Sequence, residues 1–273
     1  MTNSAVQHIW HKRLNDIDDP VQDIRIPEHL VDAPDQDEEW CEVITNDKKQ
    51  RIRFHDYDEV FGIPGLYEKL FYDTLECCSP NYVVNLLEDV ANEWDAELKR
   101  FNVLDVGAGN GMVGDELQHR GVRKVVGVDI IDEAKEATLR DRPGVYEDYH
   151  VTDLTDLSKT DEEELRQHSL NCLTTIAALG YGDIPPLAFL KALDIVITPA
   201  WLAFNIKEDF LQESDQSGFS QLIRQLIQQD YIQPLCYRRY RHRLSVTGEP
   251  LFYIAMIAKK CKPVESKLFA DWG

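Results

Sequence analysis

The sequence predicts an α/β fold in which a seven-stranded, mostly parallel sheet with an antiparallel last strand lies behind an N-terminal extension and cap helices. Three observations predict it. From residue 101 onward, short β-branched runs alternate with helical stretches, the rhythm of a parallel sheet covered by helices on both faces. A glycine-rich turn, Gly107–Gly111, directly follows the first of these strands and directly precedes a helix. A short turn containing Gly248 and Pro250 joins the last two strands; it is too short for a parallel crossover, so these strands are antiparallel neighbours. The expected architecture is Rossmann-like, with six parallel strands and one antiparallel intruder.

The elements follow in order. Residues 1–40 are polar and acid-rich and read as an irregular arm with one short helix near Ile9–Leu14. Residues 40–54 read as two short strands around the turn Thr45–Lys49. The break at Pro64–Gly65 precedes a helix, and Pro80 opens another from Asn81 to Lys99, with Val83, Leu86, Leu87, Val90 and Trp94 at helical spacing. Strands then fall at 102–106, 124–129, 146–151, 171–179, 200–206, 231–242 and 251–260. Helices fall at Met112–Arg120, at Asp132–Leu139 with an acidic N-cap, at Thr160–His168, from Pro185 to Asp194 and at Phe219–Gln229. The chain divides into an arm, hairpin and cap helices (1–99), a ligand-binding sheet domain (100–262) and a C-terminal tail (263–273).

Composition narrows the function. The chain has 273 residues, 43% of them hydrophobic, enough to bury a core. A net charge of −20 argues against nucleic acid and anionic membrane as partners, because both need clustered Lys and Arg. It keeps the protein soluble and is compatible with a basic protein partner. No apolar run reaches the roughly 20 residues that span a bilayer, and the N-terminus has no apolar signal core. A cytoplasmic location is expected. The six cysteines form no C-x-x-C pair, so reduced thiols and no metal site are expected.

The glycine turn reads Asp105-Val106-Gly107-Ala108-Gly109-Asn110-Gly111. Glycine lets the backbone turn sharply and lets a ligand approach the main chain, and the helix start adds unpaired N–H groups. Asp129 ends the second strand of this region, where a carboxylate can accept hydrogen bonds from ribose hydroxyls of a dinucleotide or of an adenosyl cofactor. A literal G-x-G-x-x-G at Gly109, Gly111 and Gly114 taken alone favours NAD. Three features count against it: Asp105, read as part of the loop, would oppose a pyrophosphate; the loop lies about 100 residues in; and the chain closes with an antiparallel hairpin.

VLDVGAGNG (103–111), the acid Asp129 in VVGVDI, the pair Asp153-Leu154 and the closing helix and hairpin Phe219 to Lys260 resemble the class I S-adenosylmethionine (SAM) dependent methyltransferases. Residues 55–99 resemble the cap helices of small-molecule members and are loosely similar to the Williams–Beuren-region type. The resemblance implies SAM as cofactor. It implies that Gly107, Gly109 and Gly111, with Ala108 and Asn110 between them, pass beneath the methionine and ribose, and that Asp105 supports the loop and the methionine amine. Asp129 would hold the ribose hydroxyls, Ile130 would lie against the adenine, Asp153 and Leu154 would bind the adenine edge, and Ala177 and Ala178 would line the floor near the sulfonium.

Methyl transfer from a sulfonium needs alignment more than a fixed catalytic group, and needs a base only when the acceptor atom carries a proton. His55 or Asp183 fits that role, with Tyr57 beside them. Asp56, Tyr67, Phe71, Tyr72, Tyr181 and Asn205 are further candidates for an acceptor pocket. Thr198-Pro199-Ala200-Trp201 sits one strand too late to act as an N-P-P-Y type motif, which disfavours nucleic-acid bases. Arg238, Arg239, Arg241 and Arg243 with His242 either bind an anionic group or pair with internal acids. The expected partner is a small-molecule acceptor. The alternatives are a methyltransferase of a basic protein, an NAD-dependent oxidoreductase and a non-catalytic SAM-binding module.

Overall fold

The computed structural model describes residues 19–27, 35–179, 183–212 and 215–272; the helix expected near Ile9–Leu14 lies outside them. A small antiparallel sheet comes first: β1 (Val21–Arg25), β2 (Trp40–Thr45) and β3 (Lys48–Arg53). The expected hairpin is β2–β3. Asn46 and Asp47 both take positive φ at its turn, the conformation that a two-residue hairpin loop requires. β1 was not expected.

The cap follows as helix α1 (Tyr57–Gly62), a π-helical segment (Glu68–Thr74) and α2 (Ser79–Glu93). α1 lies before the Pro64–Gly65 break, where no helix was expected. α2 stops well short of Lys99 because Asp95 adopts a left-handed φ of 53° and ends it; Leu98–Arg100 is a separate 3-10 turn.

The large sheet contains β4 (Asn102–Val106), β5 (Lys124–Asp129), β6 (Asp148–Val151), β7 (Cys172–Leu179), β8 (Ala200–Lys207), β9 (Ile232–Leu244) and β10 (Pro250–Lys260). Their order is β6-β5-β4-β7-β8-β10-β9. β10 is antiparallel to both β8 and β9, and the pairs among β4 to β8 are parallel. This is the expected arrangement of six parallel strands and one reversed strand.

The intervening helices are α3 (Met112–His119), α4 (Asp132–Asp141), α5 (Lys159–Gln167), α6 (Pro186–Ile195) and α7 (Phe219–Gln228). The N-cap of α4 is Ile131 rather than Asp132, which lies in the first turn. Near the C-terminus, α8 (Ser266–Ala270) buries Leu268 against the sheet core.

Alternation along the strands divides the interior. In β4, Val103 joins the core beneath α2, α3 and α4, while its neighbour Leu104 joins the core beneath α6 and α7. Burial on both faces explains why these strands read as continuous apolar runs. A third core, with Val43, Ile52, Phe54, Leu66 and Leu70, holds the small sheet to the cap. No helix among the described residues is long and apolar enough to cross a membrane.

Candidate active site

A cavity of about 520 Å³ opens at the carboxyl ends of β4, β5, β6 and β7, within the usual size range of small-ligand sites. Gly107, Gly109, Asp129, Ile130, Asp153, Leu154, Ala177 and Ala178 line it from the sheet, and His55, Tyr57 and Asp183 line it from the cap side.

The turn after β4 needs its glycines. The amides of Gly107 and Ala108 both donate to the Val128 carbonyl, at 2.9 and 3.1 Å, so the chain folds back sharply over β5. Gly107 has φ +72°, and a Cβ there would lie 2.6 Å from the Ala178 Cβ. Gly109 has φ +53° and sits beneath Phe61, whose Cζ would lie 3.1 Å from a Cβ. Asp129 ties this turn to the end of β5. Its Oδ2 accepts the Gly109 amide at 2.8 Å and its Oδ1 accepts the Ile130 amide at 2.8 Å. Burial pushes its pKa up, and these amides pull the other way.

The remaining walls come from β6 and β7. Asp153 caps a 3-10 turn, its Oδ1 accepting both the amide and the hydroxyl of Thr155 at 2.7 Å. The cap role and a place in the cavity wall coexist. At the end of β7 the pairing with β8 is irregular between Thr175 and Leu179, and Ala177 takes φ +59°, outside the range a non-glycine residue favours. The Ala177 amide donates to Asn205 Oδ1 at 2.6 Å, which holds that conformation.

Four residues assigned to the cofactor by resemblance do not line the cavity: Asp105, Ala108, Asn110 and Gly111. Asp105 belongs to β4 rather than to the loop and points into the core. It accepts the Tyr146 hydroxyl and the Thr174 hydroxyl at 2.7 Å each, and burial raises its pKa to about 7. Its carboxylate therefore does not face a ligand phosphate, and that argument against NAD falls away. Ala108 packs toward Gly127, and Gly111 backs onto Val145 and Arg142. Asn110 Nδ2 donates to Glu68 Oε1 at 2.7 Å, and Arg142 Nη1 donates to the same oxygen at 2.8 Å. These residues shape the loop from beneath.

An aromatic wall covers the opposite side. His55 and Tyr57 stack with centroids 5.6 Å apart, Tyr57 and Phe61 at 5.9 Å, and Phe61 and Tyr67 meet at 5.0 Å. Phe61 was not anticipated; its signal in the sequence is the i, i+4 spacing from Tyr57. His55 Nδ1 lies 3.8 Å from Asp183 Oδ2, with side chains 12% and 34% exposed. Burial, then the charge of Arg243, lowers the His55 pKa to about 4. Burial, then the charges of Asp129 and Asp37, raises Asp183 to about 6. Burial also raises the Tyr57 hydroxyl well above its ordinary range. A small inner chamber of about 30 Å³ continues past Tyr67 and Phe71 to His242.

Asp56, Tyr72 and Asn205 line neither space. Asn205 is buried and donates to Tyr240 Oη at 2.7 Å. Tyr181 lies outside the described residues. In the basic cluster, Arg239 pairs with Glu208 and Arg241 with Glu76, each at 2.9 Å, and Arg243 pairs with Glu39 inside the protein.

The strand order, the reversed β10 and the cleft over the ends of β4 and β5 together decide the architecture. The chain has a Rossmann-like fold, a mostly parallel seven-stranded sheet with one reversed strand. Solved structures similar to it include the plantazolicin methyltransferase BpumL in complex with S-adenosylhomocysteine (SAH), at 12% identity and TM-score 0.49 over 77% of this chain and 92% of that one. A SAM-dependent methyltransferase from Methanosarcina mazei matches at 17% identity and TM-score 0.42, over 58% and 92%. A ribosomal protein L11 methylase from Lactobacillus delbrueckii subsp. bulgaricus matches at 16% identity and TM-score 0.42, over 63% and 77%. No family model and no curated protein matches the sequence.

Proposed function

We propose that this chain is a SAM-dependent methyltransferase acting on a small-molecule acceptor. The observation that carries the reading is that the bare turn at Gly107 and Gly109 and the carboxylate Asp129 face one cavity, with Asp153 and Leu154 lining it as well and His55 and Asp183 on its cap side.

The residues present fit an adenosyl cofactor. Gly107 and Gly109 present bare backbone to the cavity. Asp129 would hold the ribose hydroxyls, Ile130 and Leu154 would flank the adenine, and Asp153 would accept from its amino group. Ala177 and Ala178 would form the floor near the sulfonium. SAM, when bound, supplies an electrophilic methyl group. The chain's own residues align the acceptor and exclude water, the tasks suited to Tyr57, Phe61 and Tyr67 in the aromatic wall. His55, neutral near pH 7, and Asp183, ionised there, are placed to take a proton from an acceptor atom that carries one. In this reading 100–262 is the SAM-binding unit, and the described cap residues from His55 to Tyr67 cover its cavity.

The charge of −20 supports a small acceptor over nucleic acid. The test is transfer of radiolabelled methyl from SAM to fractionated cell extract. Label is expected in the small-molecule fraction. Label confined to protein would overturn the acceptor class, and SAH binding without transfer to any fraction would make the chain a binding module.

A further inference from the structure

A second constellation lies on the edge strand β6, apart from the cavity. Asp148 and His150 sit two residues apart on β6 and so share one face of the sheet. His168, which caps the C-terminal end of α5, faces them. One donor atom from each of the three lies within 4.8 Å of the others. His150 Nε2 is 3.2 Å and His168 Nε2 is 3.6 Å from the same Asp148 oxygen, Oδ2. Two ligands bound to one zinc ion at tetrahedral angles stand about 3.3 Å apart, as their roughly 2.0–2.1 Å bond lengths require.

The decisive observation is His150. Its side chain is only 9% exposed, and its Nε2 makes no hydrogen bond among the described residues, although Asp148 Oδ2 lies 3.2 Å away. A buried ring nitrogen that lies beside a carboxylate without a hydrogen bond is uncommon, and a shared cation would satisfy both groups. The neighbouring groups are arranged to support a ligand set. The Tyr149 amide donates to Asp148 Oδ1 at 2.8 Å, which turns Oδ2 toward the two imidazoles. Glu147 Oε1 lies 3.6 Å from the other nitrogen of His168, as in the carboxylate–histidine pairs that orient metal ligands, and Lys124 stands 3.1 Å from that same oxygen.

We propose that Asp148, His150 and His168 bind one divalent transition ion of the zinc type, through two imidazole nitrogens and one carboxylate oxygen, with water completing the shell. Imidazole and carboxylate donors suit such an ion, and three protein ligands leave a position open. The ion would clamp the end of α5 to the edge strand, just before Thr152, Asp153 and Leu154 enter the cavity wall. Sequence spacing hides the site, since His168 lies eighteen residues beyond His150 with no short motif between them; the expectation of no metal rested on cysteine spacing alone.

The test uses the full-length, tag-free chain, stripped of metal and titrated at pH 7.5 with zinc chloride by calorimetry and with cobalt chloride by visible absorption. One ion per chain is expected, with ligand-field bands free of thiolate charge transfer. His150→Gln and His168→Gln should each weaken binding at least about tenfold, the effect typical of disturbing a metal's immediate surroundings, while His119→Gln should leave it unchanged. Circular dichroism establishes that each variant is folded; if His150→Gln is not, His168→Gln carries the comparison. Absence of saturable binding, a thiolate band, or zinc affinity unchanged in the folded His168→Gln protein would each overturn the proposal.

Discussion

The amide of Gly109 donates a 2.8 Å hydrogen bond to Oδ2 of Asp129, so the glycine turn and the end of β5 are one unit rather than two separate halves of a pocket. The same carboxylate closes the loop and lines the cavity. Asp129→Ala therefore has two effects. Losing the charged acceptor should weaken SAH binding about 10- to 100-fold, in line with roughly 1.5–3 kcal/mol for a hydrogen bond to a charged group. Leaving the Gly109 amide unpaired should also lower stability by about 1 kcal/mol. Urea unfolding in the absence of ligand separates the second effect from the first.

The two glycines of the turn should not tolerate alanine equally. At Gly107 the new Cβ would meet another Cβ at 2.6 Å, and a Cβ moves only with its backbone. At Gly109 it would meet the rim of the Phe61 ring at 3.1 Å, which can shift. Both carry the left-handed φ penalty of roughly 1 kcal/mol. Gly107→Ala adds overpacking of roughly 1–3 kcal/mol and should unfold at clearly lower urea than Gly109→Ala. Equal midpoints for the two variants would contradict the close approach to Ala178.

Asp183 should set the acid limb of activity. Its folded pKa is raised to about 6, so the carboxylate is ionised above that pH and protonated below it. Turnover that uses this carboxylate should fall about tenfold per pH unit below 6, because only the ionised fraction accepts a proton. His55, lowered to about 4, stays neutral across this window and does not produce the limb. Asp183→Asn should lower turnover at neutral pH and flatten the profile near pH 6.

The cap is fastened to the loop through Glu68. This buried carboxylate accepts from Asn110 and Arg142, and Arg142 also donates to the Asn110 carbonyl at 3.1 Å. Glu68→Ala leaves the guanidinium of Arg142 buried beside the more distant Asp115, at 3.9 Å. Removing one partner of a buried pair costs about 3–5 kcal/mol. Thermal unfolding should show that loss, and exchanging Glu68 and Arg142 together for Leu and Met should recover part of it.

The central sheet was legible because its signals are local. β4, the glycine turn and α3 lie within eighteen residues, and β5 follows as a second valine-rich run. Features that depend on distant partners were not legible. β1 exists because it pairs with β2, about twenty residues later. α1 buries only Val60 and Phe61, too few apolar positions to show a period. The sequence predicts α2 too long because its stop is an aspartate at left-handed φ, where glycine is the usual signal. In the site, residues whose backbone or carboxylate forms the wall were found from the motif: Gly107, Gly109, Asp129 and Asp153. Asp105 and Asn110 belong to the same motif, but their side chains turn inward to Tyr146 and Glu68, whose positions no spacing rule supplies.

The most direct measurement is calorimetric titration of the purified chain with SAH and, separately, with NAD. The turn at Gly107–Gly109 and Asp129 should give saturable one-to-one binding of SAH at roughly micromolar affinity, about −8 kcal/mol, and no heat with NAD. Saturable binding of NAD with none of SAH would contradict the assignment of this cavity to an adenosyl-sulfonium ligand.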